Sequence, residues 1–186
     1  MNTRAATLLA DLFSASPLRH AQFRRFYVGA IGAAVGYTMQ STVAAWLMAT
    51  LTPSPFMVAL VQTASTAPAL LFGLIAGALA DIIDRRRVIL VTQIVLVCSA
   101  ALLGTLELLG LIGPASLLAF TFLIGTGFTV YLPAQGASVN DLVERAEIPR
   151  AVALNAVAFN VARAVGPALA GAIAAAVGSE MCIRDR

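Results

Sequence analysis

The chain has 186 residues, of which 60% are apolar and only 11% are charged, whereas about a quarter of the residues in an ordinary soluble domain are charged. Its formal net charge is +3, and all twelve of its Lys and Arg residues are arginine. This composition excludes a soluble globular domain, and the positive charge then indicates membrane topology rather than binding to nucleic acid.

No Asp, Glu, Lys, Arg or His occurs between Arg25 and Asp81, a length sufficient for two crossings at about 20 apolar residues each. The sequence therefore predicts an all-α membrane protein. A cytoplasmic N-terminal segment at 1–22, with a helix start at Ser16-Pro17, precedes five predicted transmembrane helices. These spans cover about 23–50, 56–80, 88–109, 115–138 and 151–177.

The arginines indicate the orientation of the predicted spans. The connections at 51–55 and 110–114 contain no basic residue. Since cytoplasmic loops carry the excess of basic residues, the pattern predicts a multi-pass protein of the plasma (inner) membrane with a cytoplasmic N-terminus. The nine arginines on the predicted cytoplasmic side are Arg4, Arg19, Arg24, Arg25, Arg85, Arg86, Arg87, Arg145 and Arg150.

The last residues, 179–186, differ in composition from the Ala/Gly/Val run before them. Because five spans follow a cytoplasmic N-terminus, this tail should lie outside the cell. It nevertheless carries Arg184 and Arg186. We expect it to be a truncation artefact that does not belong to the protein's family. The alternative is a short natural outer loop or terminus.

The loop between the second and third spans contains a motif. Its string GALADIIDRRR resembles the G-x-L-A-D-R-x-G-R-R signature of the major facilitator superfamily, although Ile82 replaces an Arg and Asp84 replaces a Gly. The resemblance implies that Asp81 contacts the positive N-terminal end of a helix in a second half of the transporter. The residues of the implied conformational-switch loop are Gly77, Asp81, Asp84, Arg85, Arg86 and Arg87.

The fifth span carries a second motif. Its stretch AVALNAVAFNVARAVGPALAG resembles the fifth helix of the superfamily branch that contains enterobactin exporters and related secretion effectors. Gly166, Pro167 and Gly171 also resemble an antiporter element that kinks a helix and lets it approach a neighbour closely. The resemblance implies five of the six helices of one half of a twelve-helix transporter, without its sixth helix and its C-terminal half.

Arg163 is predicted to lie about 18 Å into the fifth span, at about 1.5 Å per residue. A charge at that depth normally faces a bundle interior or a wet cavity, and Asn160 and Pro167 share its helix face. The residue either lines a cavity for an anionic or polar substrate, forms a gating pair, or is held by neighbouring groups for packing alone.

Other polar residues inside the predicted spans have two interpretations. Each can line a cavity or can hold helices together by hydrogen bonds, and as a set they favour a cavity. The main cavity-lining candidates are Tyr37, Gln40, Gln62, Asn160 and Arg163, and further ones are Trp46, Thr66 and Gln135.

The sequence predicts the N-terminal part of a secondary active exporter that moves a drug-like compound or a siderophore across the inner membrane by alternating access. Its expected partners are the lipid bilayer, a small-molecule substrate and the missing C-terminal half, with no nucleic acid. We expect neither enzymatic activity nor a metal or cofactor, because the residues offer no metal-ligand spacing and no catalytic dyad. The alternative is a complete five-span scaffold or assembly partner without transport activity.

Overall fold

The computed structural model describes the backbone of residues 17–184 and the side chains of residues 17–175. In this part of the chain all regular structure is helical, as predicted. Short 3-10 helices at Pro17–Arg19 and Arg145–Glu147 precede the first and the last of five α-helices. These are α1 (Ala21–Leu51), α2 (Pro55–Ile82), α3 (Arg85–Leu108), α4 (Pro114–Leu142) and α5 (Ile148–Arg184).

The helices begin and end where local chemistry favours it. Pro55 and Pro114 occupy the first turns of α2 and α4, where the missing amide hydrogen costs nothing. Asp84 caps α3, because its carboxylate accepts a hydrogen bond from the backbone amide of Arg86 at 2.9 Å. After α3 the chain reverses at Gly110, whose φ of 67° suits glycine. The connections between successive helices from α1 to α4 are short and comprise residues 52–54, 83–84 and 109–113.

Among the described residues, four stretches are long and apolar enough to cross a membrane: α2, α3, α4 and Arg145–Ala175. The predicted count of five spans is not confirmed, since α1 does not belong to this set. The polar side chains between Tyr37 and Thr42 lie in the middle of α1 and lower its hydropathy.

Helices α1 and α5 lie side by side and run in the same direction. Near their starts the Tyr27 hydroxyl donates to the carbonyl of Leu154 at 2.9 Å. Further along, the Thr38 hydroxyl donates to the carbonyl of Ala162 at 3.0 Å. Both contacts use a backbone acceptor, so the two helix axes are close along their length.

Helix α4 lies at the centre of the bundle and contacts both α2 and α3. Gly125 packs directly against the backbone carbonyl of Ser65 on α2, and Gly127 packs against Leu96 on α3. At one end of the bundle, a buried apolar cluster joins α1, α2 and α4 through Met48, Val61 and Leu117. Two further buried clusters join α4 to α1 and α5 and to α2 and α3, so the packed core surrounds α4.

Two predicted segments fall partly outside the described residues. Most of the predicted N-terminal segment 1–22 precedes residue 17. Of the predicted tail 179–186, residues 179–184 continue α5, and the last two residues are not described.

The stability of the contact between α2 and α4 at Gly125 should be sensitive to one added methyl group. A Cβ there would lie 2.8 Å from the Ser65 carbonyl oxygen and 3.2 Å from the Pro68 ring. We expect Gly125→Ala to lower the free energy of unfolding in detergent by about 1–3 kcal/mol, because α2 and α4 must separate. Thermal unfolding of the purified chain measures this change.

The matched control is Gly136→Ala on the same helix, where the added Cβ meets nothing within 4 Å. This variant should be neutral or stabilise by up to about 1 kcal/mol, since alanine favours helix over glycine. Equal losses for both variants would contradict the proposed close contact at Gly125.

Candidate functional site

Arg85, in the predicted switch loop, connects the α2–α3 loop to the end of α4. Its Nη1 atom lies 2.6 Å from the Asp141 carboxylate and donates to the Ala137 carbonyl at 3.2 Å. Asp141 was not among the predicted site residues, because pairing between two helix ends leaves no local spacing signal in a sequence. The structure thus assigns one of the three arginines of the motif a defined partner.

The other residues of the loop are less constrained. Asp81 is exposed, and within the described residues it has no hydrogen bond or ion pair. Asp84 is occupied in capping α3, while Arg86 and Arg87 are exposed. Gly77 has open space where a Cβ would stand. A cavity of about 550 Å³ beside the loop is lined in part by Asp81, Arg85 and Asp141, as well as by Phe26 and Ile89.

A second charged cluster at the same end was not predicted. Glu147 is only 6% exposed, and its two carboxylate oxygens lie 3.0 Å from Arg19 and 3.1 Å from the His20 ring. The sequence pattern indicates only a topological role for Arg19. The cluster connects the residues before α1 to the turn before α5. His20 and Glu147 are 127 positions apart, so no local pattern in the sequence indicates their contact.

A cavity of about 540 Å³ lies between α1, α3 and α4, within the range of roughly 300–1,000 Å³ found for small-molecule sites. Tyr37 and Gln40 both line it. Tyr37 is held in place, because its hydroxyl donates to the Ser65 carbonyl at 3.1 Å and its ring stacks on Phe128 with centroids 3.9 Å apart. Gln40 is different: its amide nitrogen and oxygen are buried without a hydrogen-bond partner among the described residues.

The other three cavity candidates do not line this cavity. Gln62, Asn160 and Arg163 are exposed on the outer faces of α2 and α5. Within the described residues Arg163 has no ion pair or hydrogen bond. Pro167 is exposed on the same helix. The structure therefore brings Tyr37 and Gln40 together and leaves Asn160 and Arg163 of α5 facing away from the bundle.

The helix-kink motif divides into two environments. Gly166 is buried against Thr38 of α1, where a Cβ would overlap the threonine hydroxyl and lie 2.9 Å from its Cβ. Gly171 is exposed and lines a cavity of about 430 Å³ between α1 and α5, together with Thr42 and Trp46. Gly166 thus permits the close approach of α5 to α1.

Gln135 holds two helices together. It is 2% exposed, and its amide donates to the Asn155 side-chain oxygen on α5 at 2.9 Å, with a longer reciprocal bond of 3.4 Å. Of the two interpretations for Gln135, the structure therefore supports interhelical hydrogen bonding. The sequence contains both amides but does not show that they face each other.

The Gln135–Asn155 pair should contribute measurably to stability. In a double-mutant cycle with Gln135→Leu and Asn155→Leu, we expect a coupling free energy of about 0.6 kcal/mol, and at most about 1.7 kcal/mol, as for other interhelical bonds in membranes. Unfolding in mixed micelles measures it. Asn160→Leu is the control, because Asn160 is exposed and bonds only to its own helix at Ala156. A coupling near zero would contradict the assignment.

Comparison with known proteins confirms the predicted family. No curated protein and no solved structure matches the chain. A family model described as transmembrane secretion effector, which is of the major facilitator type, matches residues 13–184. That superfamily consists of membrane transporters and is typically non-enzymatic. The chain therefore belongs to the transmembrane secretion effector family of the major facilitator superfamily.

Proposed function

We propose that the chain is the N-terminal part of a secondary active exporter that moves a small molecule across the inner membrane by alternating access. Membership of the transmembrane secretion effector family supports export. A drug-like compound or a siderophore is the substrate class suggested by the resemblance to enterobactin exporters. In this proposal a C-terminal half completes the transporter.

The proposal includes five membrane spans with a cytoplasmic N-terminus. In this proposal α1 spans the membrane in addition to the four apolar stretches. It has 31 residues, and no charged residue follows Arg25 within it. Short connections bring the starts of α1, α3 and α5 to one end of the bundle, where the salt bridges of Glu147 and Asp141 also lie. A basic cluster at that end favours the cytoplasmic side.

The observation that carries the proposal is the clamp between Arg85 and α4. It holds the α2–α3 loop against Asp141 and Ala137 while Asp81, four residues earlier, is exposed without a partner among the described residues. A carboxylate held in this way is suited to dock on the positive N-terminal end of a helix in the second half. Docking would stabilise one of the two states of an alternating-access cycle.

The remaining candidates have distinct roles in this proposal. Tyr37 and Gln40 line the interior cavity, while Gln62, Asn160 and Arg163 face the second half across a shared substrate path. Gly166 keeps α5 against α1, and Pro167 with Gly171 lets the outer part of α5 move. The cavity between α1 and α5 next to Gly171 supports this flexibility.

The clamp should affect transport. Arg85→Gln and Asp141→Asn should each shift the conformational equilibrium by up to about fivefold, since exposed ion pairs contribute about 0.2–1 kcal/mol. We expect export of a fluorescent substrate from energised cells, by the longest polypeptide that the gene encodes, to fall accordingly. The exchanged pair Arg85→Asp with Asp141→Arg should recover part of the activity.

Arg87→Gln is the matched control, because Arg87 is exposed in the same loop and has no partner among the described residues. It should leave export unchanged. A coding sequence without further membrane helices after codon 178 would contradict the proposal and favour the five-span scaffold instead.

Labelling tests the orientation directly. In a chain with Cys98 and Cys182 replaced by serine, Asp84→Cys should resist a membrane-impermeant maleimide in intact cells and react only after permeabilisation. Leu111→Cys lies in the α3–α4 connection and should react in intact cells, because it is on the opposite side. Labelling of Asp84→Cys from outside would overturn the proposed topology.

A further inference from the structure

Arg163 is the one charged residue that the sequence places deep inside a span. No Asp, Glu, Lys or Arg occurs in the intervals 26–80, 88–106 and 108–140, and Arg163 is the single one in 151–179. Within the described residues it has no ion pair or hydrogen bond. A charge inside a membrane is costly and normally pairs with an opposite charge or faces water. The described part of the chain therefore leaves a positive charge without a counter-charge.

Two interhelical hydrogen bonds give the depth of Arg163. On α1, the hydroxyls of Tyr37 and Thr38 donate to the carbonyls of Ser65 on α2 and of Ala162 on α5. Because the two donors are consecutive residues, Ser65 and Ala162 lie at nearly the same level. This level is about 15 Å or more from either end of α1, α2 and α5. The hydrocarbon core of a bilayer is about 30 Å thick, so Arg163 lies near its midplane.

The contacts of α5 show where Arg163 points. Ala162 faces α1, and Phe159 packs against Phe128 of α4 with ring centroids 6.0 Å apart. Successive residues of a helix are rotated by about 100°, so Phe159 lies about 60° from Ala162, and Arg163 lies about 100° from it in the same sense. Arg163 therefore projects out of the bundle, about 40° beyond the contact of α5 with α4.

Helix α4 is uncovered next to Arg163. On α4, Gly125 faces α2 and Phe128 faces α5. Leu132 lies between these two directions and is 36% exposed, and Gly136, one turn further on, is also exposed. The bundle thus has an open cleft between α2 and α5, with α4 as its floor. The cleft extends from the level of Arg163 towards the charged end of the bundle.

Exposed polar side chains share the depth of Arg163. Thr66 of α2 lies about 1.5 Å from the level of Ser65, and Gln62 lies about 4.5 Å from it. On α5, Asn160 is one turn before Arg163, and its amide bonds only to its own helix. These side chains are exposed and offer neutral donors and acceptors around one positive charge.

We propose that Arg163 binds an anionic group of the exported molecule, so that the substrate class is an organic anion. The inference rests on the proposed function, which places Arg163 on the substrate path between the two halves. A guanidinium binds a carboxylate, sulfonate or phosphate through two parallel hydrogen bonds. The bound anion neutralises the charge that the spans of this chain leave unpaired.

A carboxylate of the second half is the competing partner for Arg163. A permanent ion pair would leave the cleft neutral, whereas an anion site is positively charged when it is empty. The position of Arg163 on the wall of an open cleft favours an anion that enters and leaves. The two arrangements differ in the electrostatic potential of the substrate-free protein.

Charged thiol reagents measure this potential. The longest polypeptide that the gene encodes, with Cys98 and Cys182 replaced by serine, is purified in detergent with Asn160→Cys or Gln62→Cys. Each variant reacts with a sulfonate and with a trimethylammonium methanethiosulfonate, and the rate ratio is normalised to that of free cysteine. We expect a ratio of about tenfold or more in favour of the sulfonate. Arg163→Gln should bring the ratio close to one, and Arg163→Lys should preserve it.

Gly136→Cys is the matched control on the same cleft. Gly125 packs against Ser65 and marks the level of Arg163, and Gly136 lies about 16 Å further along α4. That distance exceeds the Debye length of about 8 Å in physiological salt, so Arg163→Gln should leave its ratio unchanged. A Cβ at Gly136 meets nothing within 4 Å, so the thiol fits without rearrangement.

Protection by dyes tests the substrate class. Carboxyfluorescein, an organic anion, should slow the labelling of Asn160→Cys, and ethidium, a cation of similar size, should not. Protection by the cation or by neither dye would overturn the proposal. A normalised ratio near one with Arg163 present, or no labelling at either position, would do the same. Since none of these readouts uses transport, loss of export with an intact ratio and intact protection would count only against the proposed function.

Discussion

The bundle depends on helix backbones that touch without intervening side chains. In a bilayer, burial of apolar surface does not drive helices together, because lipid tails are as apolar as leucine. Association must come from close packing and interhelical hydrogen bonds. Gly125 meets the Ser65 carbonyl and Gly166 meets Thr38, so the two parallel pairs, α2 with α4 and α1 with α5, each contain one such contact. Stacking of Tyr37 on Phe128 then connects α1 to α4.

Polar interactions add specificity at two levels of the bundle. Within it, the amide pair of Gln135 and Asn155 connects α4 to α5. At the charged end, Asp141 fastens the α2–α3 loop through Arg85, and the buried carboxylate of Glu147 holds the segment before α1. The two clusters therefore connect the start of α3 to the end of α4, and the segment before α1 to the turn before α5.

Helix α1 combines the features on which the functional proposals depend. One face packs on α5, a second carries Tyr37 against α4, and a third lines the cavity of about 540 Å³ with glycines and Gln40. Its polar middle lowers its hydropathy, which is why α1 is absent from the four stretches apolar enough to span a membrane. Polar residues inside a membrane span normally face the bundle interior or a cavity, as the polar middle of α1 does through Tyr37 and Gln40.

The sequence by itself determined the helical class, the approximate ends of the five helices and the family, because hydropathy, proline positions and motifs are properties of neighbouring residues. Of its five cavity-lining candidates, Tyr37 and Gln40 line one cavity in the structure. Only the tertiary structure decided that Gln135 bonds to Asn155, that Arg85 pairs with Asp141, and that Glu147 is buried beside Arg19 and His20. These contacts join residues up to 128 positions apart. The packing of the whole bundle determines which faces of two helices meet. A local sequence pattern therefore does not predict these contacts.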